Sequence, residues 1–188
     1  MEVRMWILEL LGLKSQPSSS SETLTNQAGD TETVRRIVQE LKALEPDRAR
    51  YLAAFAYILG RAANADSEIS LEETRKMEES IEKLGHLQQA QAILVVDIVK
   101  NQAQLFGSTE NFLVTREFKT IATNSQRREL LDCVFAILAA DLSITSTEES
   151  QARQIASELG FNHREYIEAR LAYSQHREVL KTFQKTRH

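Results

Sequence analysis

The chain is poor in residues that break regular structure and in residues that bind metals through sulfur or nitrogen. Its 188 residues include 6 glycines and 2 prolines, which argues against a fold of many short strands and for long helices. A single cysteine, Cys133, excludes an internal disulfide framework, and with only 4 histidines it excludes a zinc finger or ribbon. The formal net charge of -4 argues against a nucleic-acid-binding surface.

A long hydrophobic run is also missing. The longest one near the start covers residues 5–8 and is broken by Glu9, whereas about 18 uninterrupted apolar residues are needed to span a bilayer. Glu2 and Glu9 also interrupt a secretory signal, and no small-residue cleavage site follows them. We therefore expect a cytoplasmic protein.

The first fourteen residues differ from the rest of the chain. Apolar residues fall at helical spacing in residues 1–14 and predict a short apolar helix. Residues 15–30 are Ser-rich and predict a flexible linker, and residues 31–188 form the main helical domain. A tethered apolar helix can dock on its own core, bind the groove of a partner or lie on a membrane surface. Docking on the chain's own core or on a partner is favoured over a membrane surface, because the segment has as many acidic as basic residues whereas surface helices are rich in Lys and Arg.

Apolar residues at helical spacing predict about seven to eight helices in the main domain, an all-α bundle. The predicted helices cover residues 34–44, 46–65, 71–84 and 88–106, one segment after Ser108, one that ends at Ala140, residues 147–159, and the chain from His163 onward. Residues 123–125 separate the fifth and sixth of these helices. The run 92–96 is apolar nearly all round, which predicts that the fourth helix is central.

An internal repeat is the most informative feature of the sequence. A shift of 75 positions places residues 55–85 on residues 130–160 without a gap. Identical or similar residues then coincide: Ala65-Asp66 with Ala140-Asp141, Ile69 with Ile144, Ser70 with Thr145, Glu73 with Glu148, and Leu84-Gly85 with Leu159-Gly160. Each copy therefore predicts a helix-turn-helix hairpin, with a turn that begins at Asp and a second helix that ends at Gly.

Capping rules explain several of the repeated residues. Ser70 with Glu73, and Thr145 with Glu148, fit a capping box, in which the hydroxyl and the carboxylate each accept a backbone N–H at the start of the second helix. A glycine directly after each of these helices predicts a left-handed C-cap. This reading of the repeat needs no ligand.

The two turn motifs, Ala65-Asp66-Ser67-Glu68-Ile69-Ser70-Leu71-Glu72-Glu73 and Ala140-Asp141-Leu142-Ser143-Ile144-Thr145-Ser146-Thr147-Glu148, resemble the paired motifs of the TerB-like family, which is named for a tellurite-resistance protein. The resemblance covers about residues 45–175. It implies a compact helical bundle without enzymatic activity, a link to bacterial stress and tellurite resistance, and an acidic metal site around the two Asp loops. The ligands implied by matching motif positions are Asp66, Glu73, Asp141 and Glu148.

Carboxylates without Cys or His suit hard cations, so such a site would take Ca²⁺, Mg²⁺ or Mn²⁺. The alternative is that the same residues serve as helix caps and as a solvated acidic face. No nucleophile elbow, phosphate-binding loop, dinucleotide-binding glycine motif or zinc-protease motif is present, and we expect no catalytic residues. Cys133 lies on an apolar stretch, which predicts an inert buried thiol.

Two functions follow from these observations. One is a protein-interaction module that recruits a partner through its acidic face or its N-terminal helix; the other is a protein that binds or senses a divalent cation. Peripheral membrane contact through residues 1–14 is a third hypothesis. The C-terminal stretch 161–188 is rich in basic residues, which indicates a solvated basic helix face or a contact with an anionic partner. The basic residues are Arg164, Arg170, Arg177, Lys181, Lys185 and Arg187.

Overall fold

The computed structural model describes residues 9–10, 28–63, 69–106, 111–139 and 144–174. These ranges contain nine helices: α1 (Ala28–Lys42), α2 (Pro46–Ala62), α3 (Leu71–Leu84), α4 (Gln89–Lys100), α5 (Gln102–Phe106), α6 (Asn111–Ile121), α7 (Asn124–Leu138), α8 (Ser146–Leu159) and α9 (His163–Leu171). The predicted all-α bundle is confirmed. In the described ranges, no helix has the length and apolar character needed to cross a membrane.

Helix α2 forms the centre of the bundle. Pro46 occupies its first turn, where the missing N–H costs nothing, and every residue from position 51 to position 62 is buried. The helix packs against α1, α4, α6, α7 and α8. The predicted burial of residues 92–96 on α4 is confirmed at four of the five positions, and Ile93 is 38 % exposed. Helix α4 packs against α2, which is the more enclosed of the two.

The helices of the two predicted hairpins are present as α2 and α3, and as α7 and α8. Helix α7 packs against α8, whereas α2 and α3 make little direct contact with each other. Helix α3 packs against α4 and α7, and α8 packs against α6, α7 and α2. Each hairpin therefore places its second helix against the first helix of the other copy. Helix α3 spans the predicted residues 71–84, and α8 begins one residue earlier than predicted.

Glycine ends the two second helices in different ways. Gly160 adopts the predicted left-handed conformation, with φ 91°. The prediction for Gly85 was wrong: its φ is -82°, and the positive φ falls on His86. Glycine is required at position 85 because a Cβ there would lie 2.6 Å from the Ile81 carbonyl oxygen and 3.2 Å from the Phe55 ring.

Two predicted boundaries also differ. Thr123 does not belong to a separating linker but caps α7: its Oγ1 accepts the Gln126 N–H at 3.2 Å, and Gln126 Oε1 accepts the Thr123 N–H at 2.8 Å. The helix predicted over residues 88–106 is interrupted at Asn101. The Asn101 side chain donates to the Asp97 carbonyl at 2.8 Å, a local side-chain bond of the kind that competes with helix continuation.

The N-terminal predictions lie largely outside the described residues. Helix α1 begins at Ala28, within the stretch 15–30 that the sequence assigns to a linker. Apart from Glu9 and Leu10, residues 1–27 are not described. The helix predicted over residues 1–14 therefore stays a prediction.

Candidate functional site

The four predicted metal ligands divide into two that the structure describes and two that it does not. Asp66 and Asp141 lie in residues 64–68 and 140–143, outside the described ranges. Glu73 and Glu148 are described, and both close the capping boxes that the sequence predicts. Within the described ranges, no group of three or more His, Cys, Asp or Glu side chains could hold a metal ion.

The capping boxes have nearly identical geometry. Glu73 Oε2 accepts the Ser70 N–H at 2.7 Å, and Ser70 Oγ accepts the Glu73 N–H at 3.2 Å. Glu148 Oε2 accepts the Thr145 N–H at 2.8 Å, and Thr145 Oγ1 accepts the Glu148 N–H at 3.2 Å. Hydrogen bonds from the Ser70 hydroxyl and backbone lower the pKa of Glu73. Both glutamates thus fix helix starts.

The residues that flank the two Asp loops meet at one end of the bundle. The Gln151 side chain, in the second turn of α8, donates to the carbonyl of Arg61 at the end of α2. Ile144 is buried in the core, and Ile69 is half-buried against it. The structure thus joins the end of one hairpin's first helix to the start of the other's second helix, while coordination by Asp66 and Asp141 stays a prediction.

A buried ion pair, which the sequence reasoning missed, joins the two copies of the repeat. Arg61 Nη1 lies 2.7 Å from Glu158 Oε2, and their side chains are only 5 % and 13 % exposed. Arg61 also donates to Thr115 Oγ1 on α6 at 2.8 Å. Burial opposes ionisation of Glu158, but the hydrogen bonds and charge of Arg61 outweigh this and lower its pKa. The sequence signal that could have indicated this ion pair is Arg61 itself, a charged residue within the apolar run of α2.

The matching contact between the other two helices of the repeat is open instead of closed. The shift of 75 positions places Ala136 of α7 where Arg61 lies in α2, and Lys83 of α3 where Glu158 lies in α8. A groove of about 340 Å³ lies there. Its walls belong to α3 and α7, and its lining residues are Lys76, Met77, Glu79, Ser80, Lys83, Leu84, Ala136 and Ile137.

The groove has an apolar floor and a charged rim. Met77 is buried, and Leu84 and Ile137 are half-buried against the core. The rim carries two ion pairs along α3, between Lys76 and Glu72 at 2.9 Å and between Lys83 and Glu79 at 3.4 Å. We call this feature the α3–α7 groove.

Cys133 lies below the α3–α7 groove. Its Sγ is 3.8 Å from the Ser80 carbonyl oxygen, and the residue is fully buried. Burial, assisted by the nearby Asp132 and Glu129 charges, raises the pKa of the thiol to about 12. The burial predicted for Cys133 is confirmed, and a raised pKa favours the protonated thiol, the form that is a poor nucleophile.

The N-terminal segment contacts α2 at Arg50. Leu10 is half-buried against the core, and its carbonyl accepts the Arg50 Nε–H at 2.8 Å. Arg50 also lies 3.8 Å from Glu117 on α6. This contact is made with the chain's own core.

The nine helices and the duplicated, capped hairpin define a helical-bundle domain whose buried polar groups hold helices together. The family model described as "Tellurite resistance protein TerB" matches residues 51–171. The chain belongs to this family. The match runs from α2 to α9 and contains both hairpins. No curated protein and no solved structure matches the chain.

Proposed function

We propose that this TerB-family domain is a non-enzymatic protein-interaction module of bacterial stress response or tellurite resistance. The observation that carries the proposal is the α3–α7 groove, which is apolar at its floor and open where the equivalent α2–α8 contact is closed by an ion pair. The partner is a protein that presents an amphipathic helix with basic residues.

The shape of the groove favours a helix as its occupant. The lining residues on α3 run from Lys76 to Leu84, which is about 12 Å along a helix axis. That length matches about two turns of a partner helix, whose apolar side chains at positions i, i+3 and i+4 can enter one groove. An apolar floor of Met77, Leu84 and Ile137 suits Leu, Val or Phe side chains.

The charge around the groove is mixed. Its charged lining residues are Lys76, Lys83 and Glu79, whereas helix α3 as a whole has five acidic and three basic residues, a net charge of -2. The negative excess of α3 therefore lies outside the lining, where basic residues flanking the apolar face of a partner helix would meet it. Burial leaves the Asp132 carboxylate of α7, one turn from Ala136, with a raised pKa, although Arg128 at 3.2 Å opposes the shift. A further cation beside Asp132 would stabilise its ionised form. Opposite charges of this kind set the orientation and rate of association more than its strength.

The absence of enzymatic activity is part of the proposal. It is supported by the roles of the groups that could do chemistry: Cys133 is buried and protonated, and the buried charges Arg61 and Glu158 bind each other. Glu149 and Arg170 form a second well-covered pair between α8 and α9. Each of these groups already has a structural partner.

The experiment exploits the relation between the two copies. A photo-crosslinking amino acid at position 80 reports what occupies the groove in cells. Ala136→Arg with Lys83→Glu rebuilds in the groove the pair that Arg61 and Glu158 form on the other side, and so closes it. We expect cross-links to a basic amphipathic segment, mapped by sequencing of the linked peptide, and their loss in the closed variant.

The control exchanges an exposed pair: Arg164→Glu with Glu168→Arg leaves the groove open and the net charge unchanged, whereas the closed variant changes the net charge by -1. Thermal unfolding establishes that both double variants are folded. Cross-links that survive closure, or that map to segments without basic amphipathic character, refute the proposal.

A further inference from the structure

The described part of the N-terminal segment shows which of its sides faces the domain. Leu10 is half-buried against the core, whereas its neighbour Glu9 is exposed. Both residues have a helical backbone, as the sequence predicts for residues 1–14. The helix therefore turns the side that carries Leu10 towards the domain.

Leu10 belongs to an apolar face of this predicted helix. Val3, Trp6, Ile7 and Leu10 fall at positions i, i+3, i+4 and i+7, which share one side of a helix. Because Leu10 faces the core, we expect the other three side chains to face the domain as well. The surface that accepts Leu10 then lies in line with the whole apolar face.

Arg50, in the second turn of α2, binds the main chain of this segment. Its Nε–H donates to the Leu10 carbonyl at 2.8 Å, and its Nη1 lies 3.8 Å from Glu117 on α6. A charged donor makes a stronger hydrogen bond than a neutral one. Leu10 is near the C-terminal end of the predicted helix, where carbonyls lack partners within the helix and a cation is favoured. We call the surface around Arg50 and Glu117 the α2–α6 surface.

The connection from Leu10 to α1 allows this contact to form within one chain. Seventeen residues, 11–27, separate Leu10 from the start of α1, and α1 packs against α2. A flexible coil of that length spans about 23 Å, which exceeds the separation of about 8–10 Å between packed helices. A short tether gives an intramolecular contact an effective concentration in the millimolar range. Docking within the chain is therefore favoured over the same contact with a second copy.

We propose that residues 1–14 bind as a helix to their own domain at the α2–α6 surface, and that Arg50 is the residue that holds them there. Val3, Trp6 and Ile7 then continue the contact that Leu10 begins. While the helix is bound, its apolar face is withheld from other apolar surfaces, so the contact is autoinhibitory. Neither Arg50 nor Glu117 lines the α3–α7 groove, and the inference does not depend on the proposed function.

The chain's single tryptophan, Trp6, reports this contact directly. In the full chain we expect blue-shifted emission that is protected from acrylamide. Arg50→Ala is expected to shift the emission to longer wavelength and to raise the quenching constant several-fold, because it removes the donor to Leu10. It is also expected to raise the fluorescence of the dye ANS, which binds exposed apolar surface. Arg164→Ala, at an arginine that is 88 % exposed, is the control and leaves all three unchanged.

A second pair of variants tests the apolar face. Leu10→Asp removes the side chain that contacts the core, whereas Gly12→Asp adds the same charge on the opposite side of a helix. We expect Leu10→Asp to expose Trp6 and Gly12→Asp to leave it protected. Circular dichroism establishes that every variant keeps its helical content.

The outcomes that overturn the inference are distinct. Protection of Trp6 that survives Arg50→Ala overturns the role of Arg50, and protection that survives Leu10→Asp overturns the docking. Trp6 that is exposed in the unmodified chain, or protected only when lipid vesicles are added, overturns the docking as well. Protection that disappears on dilution indicates binding to a second copy instead. Unchanged ANS fluorescence in Arg50→Ala contradicts the autoinhibition.

Discussion

The buried pair between Arg61 and Glu158 offers the sharpest test of how the two hairpins are held together. Removal of one member of a buried pair costs about 3–5 kcal/mol, because the other charge stays buried and unpaired. Arg61 is the more enclosed member, at 5 % exposure, so we expect Glu158→Gln to destabilise the fold by about 3 kcal/mol. Arg61→Met is expected to cost about 2 kcal/mol, since Glu158 keeps a hydrogen bond from Gln154 at 3.0 Å.

Urea unfolding followed by far-UV circular dichroism measures these costs for the two single variants and the double variant. The two residues are in contact, so the double variant is expected to cost about 2 kcal/mol less than the two single costs added together. The exposed pair between Arg164 and Glu168 serves as the control, at 88 % and 50 % exposure, and Glu168→Gln is expected to cost less than about 0.5 kcal/mol. Additive costs at the buried pair, or costs no larger than that of the control, refute the reasoning.

Three further predictions concern acid, backbone and ions. The pKa of Glu158 is lowered from 4.5 in the folded protein, so its contribution to the free energy of unfolding is complete above about pH 4.5 and is lost as the pH falls through the lower folded-state pKa. In urea unfolding at stepped pH, we expect Glu158→Gln to lose less stability on acidification than the unmodified chain. Gly85→Ala is expected to lower the melting temperature more than Gly160→Ala. The new Cβ at position 85 would collide with a backbone oxygen, whereas that at position 160 meets the flexible end of a lysine and adds about 1–2 kcal/mol of left-handed strain. Equal shifts in melting temperature would contradict the close approach at position 85. If the Asp loops bind Ca²⁺, Mg²⁺ or Mn²⁺, millimolar amounts raise the melting temperature by linkage, and Asp66→Asn with Asp141→Asn removes the rise; no shift with any of the three ions rejects the cation hypothesis.

The parts of the fold that the sequence predicts well are those set by neighbours in the chain. The start of α3 follows from Ser70 and Glu73, because a capping box needs only four consecutive residues. Thr123 shows the limit of such reasoning. A threonine is common both in linkers and at helix starts, and Gln126, three residues later, is the partner that makes Thr123 a cap.

Features that depend on distant contacts were out of reach. Arg61 and Glu158 are 97 positions apart, and only the packing of α2 against α8 brings them together. Gly85 is a partial case of the same kind: besides the Ile81 carbonyl of its own helix, Phe55 and Cys133 from two other helices come close to it, and the sequence does not show their approach. The α3–α7 groove likewise exists only because two separate hairpins pack together.

The internal repeat gives this domain two equivalent helix contacts, and they differ in the residues that fill them. In the contact between α2 and α8, the ion pair of Arg61 and Glu158 links the two helices. The equivalent contact, with Ala136 and Lys83 at the matching positions, has no such pair and leaves a groove between α3 and α7. This difference between two equivalent positions is what leaves space for a bound side chain between α3 and α7.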